Sequence, residues 1–274
     1  MIKRLFNIAP ENVFLLRLSV LVFLSALVPT VSHAVPAMGM GYTPKYPVDF
    51  GHFDYVNPDA PRRGNLTMMG LGTFDSLNPY LLKGISADGL GLLVFESLLE
   101  KSLDEPFSEY GLIADDFSLA EDGLSVTFHI NPLAKFSNGD AILAEDVKYS
   151  FDTLMSKAAH PQFRVYYADV KSATVLDPYT LRFDFKNQNR ELHLIIGEIP
   201  IFSKKWAGDL TFDKTDDTRP VASGPYLVDK YDRGKSIYYT RNPDYWAKDL
   251  PVRKGMFNYE TITYKYYKDS TIAL

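Results

Sequence analysis

The sequence predicts an α/β fold with mixed β-sheets and a strand-rich insertion. Two observations carry this prediction. Strand-like and helix-like segments alternate along the chain, and turn signals such as Asn-Gly and Asp-Pro separate them. With 274 residues, of which 46% are hydrophobic and 23% charged, the chain is long enough for one large domain or two small ones.

The most informative stretch lies between residues 121 and 151. Ser125–Ile130 alternates apolar and polar residues, which predicts a half-buried strand. Asn138-Gly139 then indicates a turn, because both residues accept a positive φ. Ala144–Leu154 has apolar residues at helical spacing and two acidic residues in its first turn, where the helix dipole favours negative charge. The stretch therefore predicts a strand, a turn and a helix.

Further elements follow along the chain. Two alternating segments flank Asp177-Pro178, which is a hairpin signal. Helices are predicted over Gly89–Leu99 and Glu191–Ile201. The predicted strands are Val170–Leu176, Thr180–Lys186, Ser236–Arg241 and Met256–Tyr267.

The first 34 residues have the composition of an export signal. Lys3, Arg4 and Arg17 precede the apolar run Leu18–Val28, and small residues then lead to a predicted cleavage site after Ala34. The run is too short for a permanent transmembrane helix, so we expect no stable membrane anchor, although a retained anchor is the alternative. The chain has no cysteine, which excludes disulfides and a lipid-modified cysteine. We therefore expect export to the periplasm of a two-membrane bacterium.

The composition argues against several functions. A net charge of −5 without a basic run argues against nucleic-acid binding, so none is expected. The five histidines are scattered, and neither H-E-x-x-H, G-x-S-x-G nor a cysteine nucleophile occurs. Gly70-Leu-Gly72 and Gly89-Leu-Gly91 do not complete a dinucleotide-binding motif. We predict no enzyme, no metal and no cofactor.

Several motifs are similar to those of one known family. The order DGL-x-x-TFH, KF-S-N-G and AEDV-(x)3-F within residues 122–151 resembles the signature region of the family 5 extracellular solute-binding proteins, the periplasmic peptide and nickel receptors of ABC importers. Gly224-Pro-Tyr226 and Arg241–Trp246 resemble two further family motifs, and the N-terminal words HFDYVNPDAP and FDSLNPY resemble the YejA-like oligopeptide-binding subgroup. Leu143 departs from the family pattern, because a helix-capping Thr is common there.

The resemblance implies a fold and a domain organisation. It implies a periplasmic-binding-protein-like lobe of type II, cluster C, in which Asn65–Leu71 is the first strand of the main sheet. Residues 35–97 and 187–274 would form this main sheet domain, and residues 98–186 a smaller inserted domain. The family has some 300 further residues, so the chain is interpreted as a truncated fragment whose C-terminal lobe is missing.

The resemblance also implies a function and a site. The chain would be the non-enzymatic substrate-binding component of an ABC importer for oligopeptides, with a peptide ligand, an inner-membrane permease partner and a monomeric full-length form. The segment Lys83-Gly84-Ile85-Ser86 would pair with the peptide backbone, as strand-like recognition requires, or be an ordinary loop. Tyr166 and Tyr226 would lie near the cleft, or instead anchor the core through their hydroxyls.

Two consequences follow from the missing half. The groups that neutralise the peptide termini would come largely from the absent lobe, so we expect the fragment to bind peptide weakly or not at all. The alternative function is an exported lobe that binds a protein partner, as a chaperone-like scaffold does, and takes no small ligand.

Overall fold

The computed structural model describes residues 36–269 and 271, so the predicted signal peptide lies outside the described residues. The main sheet has four strands in the order β11-β12-β13-β2. β2 (Asn65–Leu71) is parallel to β13 (Thr261–Tyr267), whereas β12 (Ser236–Arg241) is antiparallel both to β13 and to β11 (Tyr226–Asp232). The sheet is therefore mixed, as the sequence predicts, and β2 forms one of its edges.

A second four-stranded sheet is antiparallel throughout, in the order β6-β7-β9-β8. All of its strands lie within residues 98–186, but the division of the chain into a main and an inserted domain stays a prediction. The β8–β9 hairpin is confirmed at Asp177, whose carboxylate accepts a hydrogen bond from Tyr179 N at 2.9 Å. The strands are β6 (Ala114–Leu119), β7 (Ser125–Ile130), β8 (Val170–Asp177) and β9 (Thr180–Phe185).

The described residues also form two small sheets. The first has the order β1-β5-β4, and the second pairs β10 with β3. Their strands are β1 (Ala37–Gly39), β3 (Glu96–Ser97), β4 (Leu99–Lys101), β5 (Ser108–Gly111) and β10 (Pro200–Ile201).

The prediction of a helix over Gly89–Leu99 is wrong. Only α1 (Leu90–Leu93) is helical, and the chain then continues into β3. Gly224 explains the early end, because its N–H donates to Val94 O at 2.9 Å. A Cβ on Gly224 would lie 2.5 Å from the Val94 carbonyl carbon, so only glycine permits this approach. A tertiary contact thus takes the carbonyl that a longer helix would have used.

The remaining helices are α2 (Ala144–Met155), α3 (Gln162–Tyr166) and α4 (Leu192–Gly197). The sequence predicts α2 to within one residue. Its apolar stripe, Val147, Phe151 and Leu154, is buried, and the Phe151 ring lies 5.4 Å from that of Phe183 in β9. None of the described helices is long and apolar enough to cross a membrane.

The strand predicted from Met256 begins only at Thr261. Phe257 has a φ of 56°, which interrupts an extended backbone. The buried core between the sheets is rich in aromatic rings, and Tyr80, Phe95 and Trp206 pack against Phe202 or one another with centroid separations of 5.0 to 6.5 Å. Aromatic side chains thus supply a large part of the packing in this core.

Candidate functional site

The two parallel strands of the main sheet end at one edge. The carboxyl end of β2 is Leu71, which is in register with Tyr267 of β13. Gly72 N continues the pairing and donates to Tyr267 O at 2.8 Å. Ligands of open α/β sheets bind beside the carboxyl ends of strands, so a binding site is expected at this edge. Residues 72–88, which follow β2, are called the 72–88 loop here.

The 72–88 loop folds back on itself. The carbonyl of Ile85 accepts from Asp75 N at 2.9 Å and from Ser76 N at 3.1 Å. In return, Ile85 N donates to the Asp75 carboxylate at 2.6 Å. Ser76 and Ser86 form a parallel bridge, so the predicted peptide-pairing segment already has a strand-like partner in its own loop. Asp75 stabilises this arrangement, and the sequence alone did not indicate that role for Asp75.

A buried polar anchor supports the loop from the core side. Asn78 is buried; its side-chain amide donates to Thr215 Oγ1 at 2.7 Å, and its Oδ1 accepts from Tyr80 N at 2.8 Å. Leu77 N donates to Asp216 O at 2.6 Å. Two distant parts of the chain are thus joined beneath the loop. The Asn-Pro pair predicts a turn there, but its partner at Thr215 lies 137 positions away and has no local signal.

Lys83, Gly84 and Ile85 are exposed at the outer side of the loop. Gly84 has a φ of +90°, and a Cβ there would lie 2.8 Å from the Asp75 carboxylate, so both conformation and space require glycine. Within the described part of the chain, the backbone N–H and C=O of Lys83 and Gly84 form no hydrogen bond, whereas those of Ile85 are used. Two residues of the segment therefore offer unpaired backbone to a ligand.

Tyr166 lies on the last turn of α3 and is 48% exposed. Its ring stands edge-on to that of Tyr167 at 5.1 Å. Partial burial, followed by the negative charge of Glu198, raises the pKa of the Tyr166 hydroxyl. The side chain is thus accessible to solvent, and its position near the ligand cleft stays a prediction.

Tyr226 has a different environment. It is 0% exposed, its hydroxyl donates to Tyr259 O at 2.7 Å, and burial raises its pKa to about 12. Tyr226 begins β11, at the opposite end of the main sheet from the 72–88 loop. The structure therefore does not bring Tyr226 together with Lys83–Ser86, and its contacts fit the alternative of a tyrosine that anchors the core.

Other chemistry in the described residues is limited. His129 pairs with Asp115 at 2.6 Å on the second four-stranded sheet. No group of three or more His, Cys, Asp or Glu side chains among residues 36–269 could hold a metal ion. The arrangement at the 72–88 loop offers exposed backbone and apolar surface, since Leu82 and Ile85 are both more than half exposed.

Known proteins resemble this chain over most of its described length. The protein named YejA in Escherichia coli K12 is 40% identical over 244 residues, which are 88% of this chain and 39% of that protein. A probable peptide-binding protein YejA of Agrobacterium fabrum is 40% identical over 237 residues, which are 83% of this chain and 38% of the relative. The chain therefore spans about two-fifths of the length of the curated relatives it matches.

A solved structure supports the fold. The oligopeptide-binding protein AppA of Bacillus subtilis, determined in complex with a nonapeptide, superposes with a TM-score of 0.62 at 22% identity. The match covers 78% of this chain and 42% of AppA. It shows that this chain has the type II periplasmic-binding-protein fold over the part of AppA that it covers.

The sequence profile of the bacterial extracellular solute-binding proteins, family 5 Middle, matches residues 109–274. This is more than half of the chain, and it includes the 122–151 motifs and the GPY and RNPDYW segments. Together with the two relatives, the match establishes that the chain belongs to the family 5 bacterial extracellular solute-binding proteins.

Proposed function

We propose that this chain belongs to the periplasmic substrate-binding component of an ABC importer for oligopeptides or peptide-like compounds, and that it is not an enzyme. The observation that carries the proposal is the exposed segment Lys83–Ser86 at the carboxyl edge of the main sheet. It offers backbone groups in a loop that Asp75 and Asn78 hold in place.

This geometry suits a ligand of variable sequence. All peptides share backbone N–H and C=O groups, so a receptor that pairs with them accepts many side chains. Lys83 and Gly84 supply such groups, and the neighbouring Leu82 and Ile85 supply apolar surface for side chains. The A. fabrum relative described as a probable peptide-binding protein supports the same substrate class.

Export and transport complete the proposal. The signal-like residues 1–34 support cleavage after Ala34 and a periplasmic location, where the full-length protein would act as a monomer with an inner-membrane ABC permease. Because the chain spans two-fifths of its relatives, its own share of the binding site is one wall of a cleft. We expect a dissociation constant of about 1 mM or weaker for this chain alone, since closure around a ligand needs a second lobe.

One observation favours the alternative function, a lobe that binds a protein partner. β2 is an edge strand, and Met68, Met69 and Leu71 on it are 40 to 62% exposed. An open edge with apolar side chains can accept a strand from another chain.

A pair of variants at one position tests the proposal. Lys83→Pro removes a backbone N–H, whereas Lys83→Ala removes only the side chain. Isothermal titration with a mixture of tri- to pentapeptides at high concentration should give weak binding for the unaltered chain and for Lys83→Ala, and a loss of binding for Lys83→Pro.

The opposite pattern would contradict the proposal. Equal binding by both variants would show that the backbone of Lys83 is not used. Micromolar binding by this chain would show that the second lobe is not needed. Failure of all tested peptides, with capture of a strand-forming protein at β2, would favour the alternative function.

A further inference from the structure

A cavity lies at the opposite end of the main sheet from the 72–88 loop. Arg241, the last residue of β12, lines it. Arg241 N donates to Glu260 O at 2.9 Å, and Glu260 N donates to Gly64 O at 2.7 Å. Gly64 and Glu260 immediately precede the parallel strands β2 and β13. Since a strand rises about 3.3 Å per residue, seven-residue strands separate the cavity from the 72–88 loop by roughly 20 Å.

The walls of this cavity are strongly basic. Its volume is about 190 Å³, and none of the residues that line it is acidic. Four of them are cationic, namely Arg62, Arg241, Lys248 and Arg253. The charge is notable because the whole chain is acidic, with a net charge of −5. A small space with only cationic groups around it favours a negatively charged occupant.

Carboxylates that pair with the cavity's cations compensate only part of this charge. Arg253, with a 6% exposed side chain, pairs with Glu96 at 3.2 Å and with Glu100 at 2.6 Å. Arg241 pairs with Glu260 at 2.5 Å. Two of the four cations therefore have carboxylate partners, of which Glu96 is buried and Glu260 is about half exposed.

The other two cations lack such partners. Arg62 and Lys248 are exposed at the cavity, and neither side chain forms an ion pair within residues 36–269. The guanidinium of Arg62 donates only to the backbone carbonyl of Lys248, at 3.3 Å. This bond holds the two residues close together without neutralising either of them. Their charges add at one place.

Arg241 gives an independent indication. Its Nη1 is buried and has no hydrogen-bond partner among the described residues. Buried donors in native proteins are nearly always satisfied, and an unsatisfied one calls for an explanation such as a bound water or ion. A water would satisfy the donor but would leave the charges of Arg62 and Lys248 uncompensated. An anion would accept a hydrogen bond from Arg241 and would also compensate the charges of Arg62 and Lys248.

We propose that this cavity binds a small oxyanion, a carboxylate or a phosphate group. Guanidinium groups present paired N–H donors that match the two oxygens of a carboxylate or phosphate, and Lys248 adds a point charge. The site is separate from the peptide-binding segment Lys83–Ser86, so an anion here would bind independently of the transported ligand.

The double substitution Arg62→Gln with Lys248→Gln is the direct test. Both side chains are exposed and unpaired by carboxylates, so the variant should melt in chloride at the same temperature as the unaltered chain. Melting temperatures are measured in sodium phosphate and in sodium succinate, against sodium chloride at equal ionic strength. Lys157→Gln, at an exposed position away from the cavity, is the matched control.

The proposal predicts that phosphate, succinate or both raise the melting temperature of the unaltered chain and of Lys157→Gln beyond chloride. The double variant should need an anion concentration at least about 10-fold higher for the same shift. Phosphate also stabilises proteins by general exclusion from their surface, and that part is equal in all three chains. Equal shifts in all three chains, or no shift beyond chloride, would overturn the proposal. The two anions distinguish a phosphate site from a carboxylate site.

Discussion

Two regions of this lobe use polar groups in opposite ways. In the first, which we call the charge cluster, the side chains of Glu96, Glu100, Glu109, Glu198, Lys101 and Arg253 interact in or near the core. In the second, the 72–88 loop, the exposed groups are mainly backbone. The cluster buries the ion pair of Glu96 and Arg253, whose side chains are 1% and 6% exposed, whereas the loop leaves neutral backbone groups exposed. Charged side chains in this lobe can therefore serve the core, while neutral backbone groups remain available for binding.

The centre of the charge cluster is Glu96. It is buried and accepts hydrogen bonds from Tyr245, from Trp246 Nε1 at 3.2 Å and from Arg253 Nε at 3.2 Å. Burial nevertheless raises the pKa of the Glu96 carboxyl, because desolvation outweighs the attraction of Arg253. The carboxylate therefore depends on all three donors to remain acceptable in the core.

The largest expected effect comes from breaking this group. Arg253→Leu leaves Glu96 without its cation, and removal of one partner of a buried ion pair costs about 3–5 kcal/mol. Urea denaturation should show this loss in the free energy of unfolding. Arg233→Leu is the matched control, because the Arg233–Asp217 pair is exposed and should contribute less than about 1 kcal/mol. Similar losses in both variants would contradict the distinction between buried and exposed charge.

A second prediction concerns pH. Burial raises the pKa of the Glu109 carboxyl to about 9 from a usual value of 4.5, and the neighbouring Glu198 carboxylate adds to the rise. The folded state thus binds a proton that the unfolded state releases above pH 4.5. Stability from this group is complete below pH 4.5 and is lost as the pH rises through about 9.

Glu109→Gln should remove this dependence, because its amide cannot ionise. We expect the variant to be more stable than the unaltered chain at pH 8 by roughly 2–4 kcal/mol, with little difference at pH 4.5. Thermal melts across the pH range check this, and Glu121→Gln at an exposed position controls for the lost charge. Parallel pH curves for Glu109→Gln and the unaltered chain would refute the assignment.

A substitution in the 72–88 loop should lower the free energy of unfolding less than one in the charge cluster does. It should change the local order of the loop more. Asn78→Ala removes both bonds to Thr215 and Tyr80 and should cost about 1–3 kcal/mol. Hydrogen exchange at residues 75–87 should become faster as well. Asn138→Ala is a matched control, since Asn138 forms a similar turn around Asp140 but is exposed. Unchanged exchange in Asn78→Ala would show that the anchor does not hold the loop.

Local patterns predicted three of the four strands in the second four-stranded sheet, and the helix α2. The sequence signals for β7, α2 and the β8–β9 hairpin lie within the elements themselves, as alternation, an acidic first turn and Asp-Pro. The same reasoning failed at Gly89–Leu99, where Gly224 intervenes from 130 positions away. Helical periodicity contains no information on such a contact.

The candidate site was only partly predictable for the same reason. Resemblance indicated Lys83–Ser86, and the structure places these residues in an exposed loop. The supports of that loop, Asp75 and the Asn78–Thr215 bond, depend on the fold and not on any motif. Tyr226 belongs to a family motif, yet its hydroxyl donates a hydrogen bond to the backbone carbonyl of Tyr259. A motif identifies a residue's neighbours in sequence, and burial decides which of them can meet a ligand.

We propose that the backbone of Lys83 and Gly84 contacts the peptide. Amide chemical shifts of the ¹⁵N-labelled chain, followed during titration with tri- to pentapeptides, test it most directly. The proposal predicts that the amides of residues 83–86 shift in a saturable way with a dissociation constant of about 1 mM or weaker, while amides in the strand β7 (Ser125–Ile130) do not. Shifts confined to other surfaces, or none at the 72–88 loop at any peptide concentration, would contradict it.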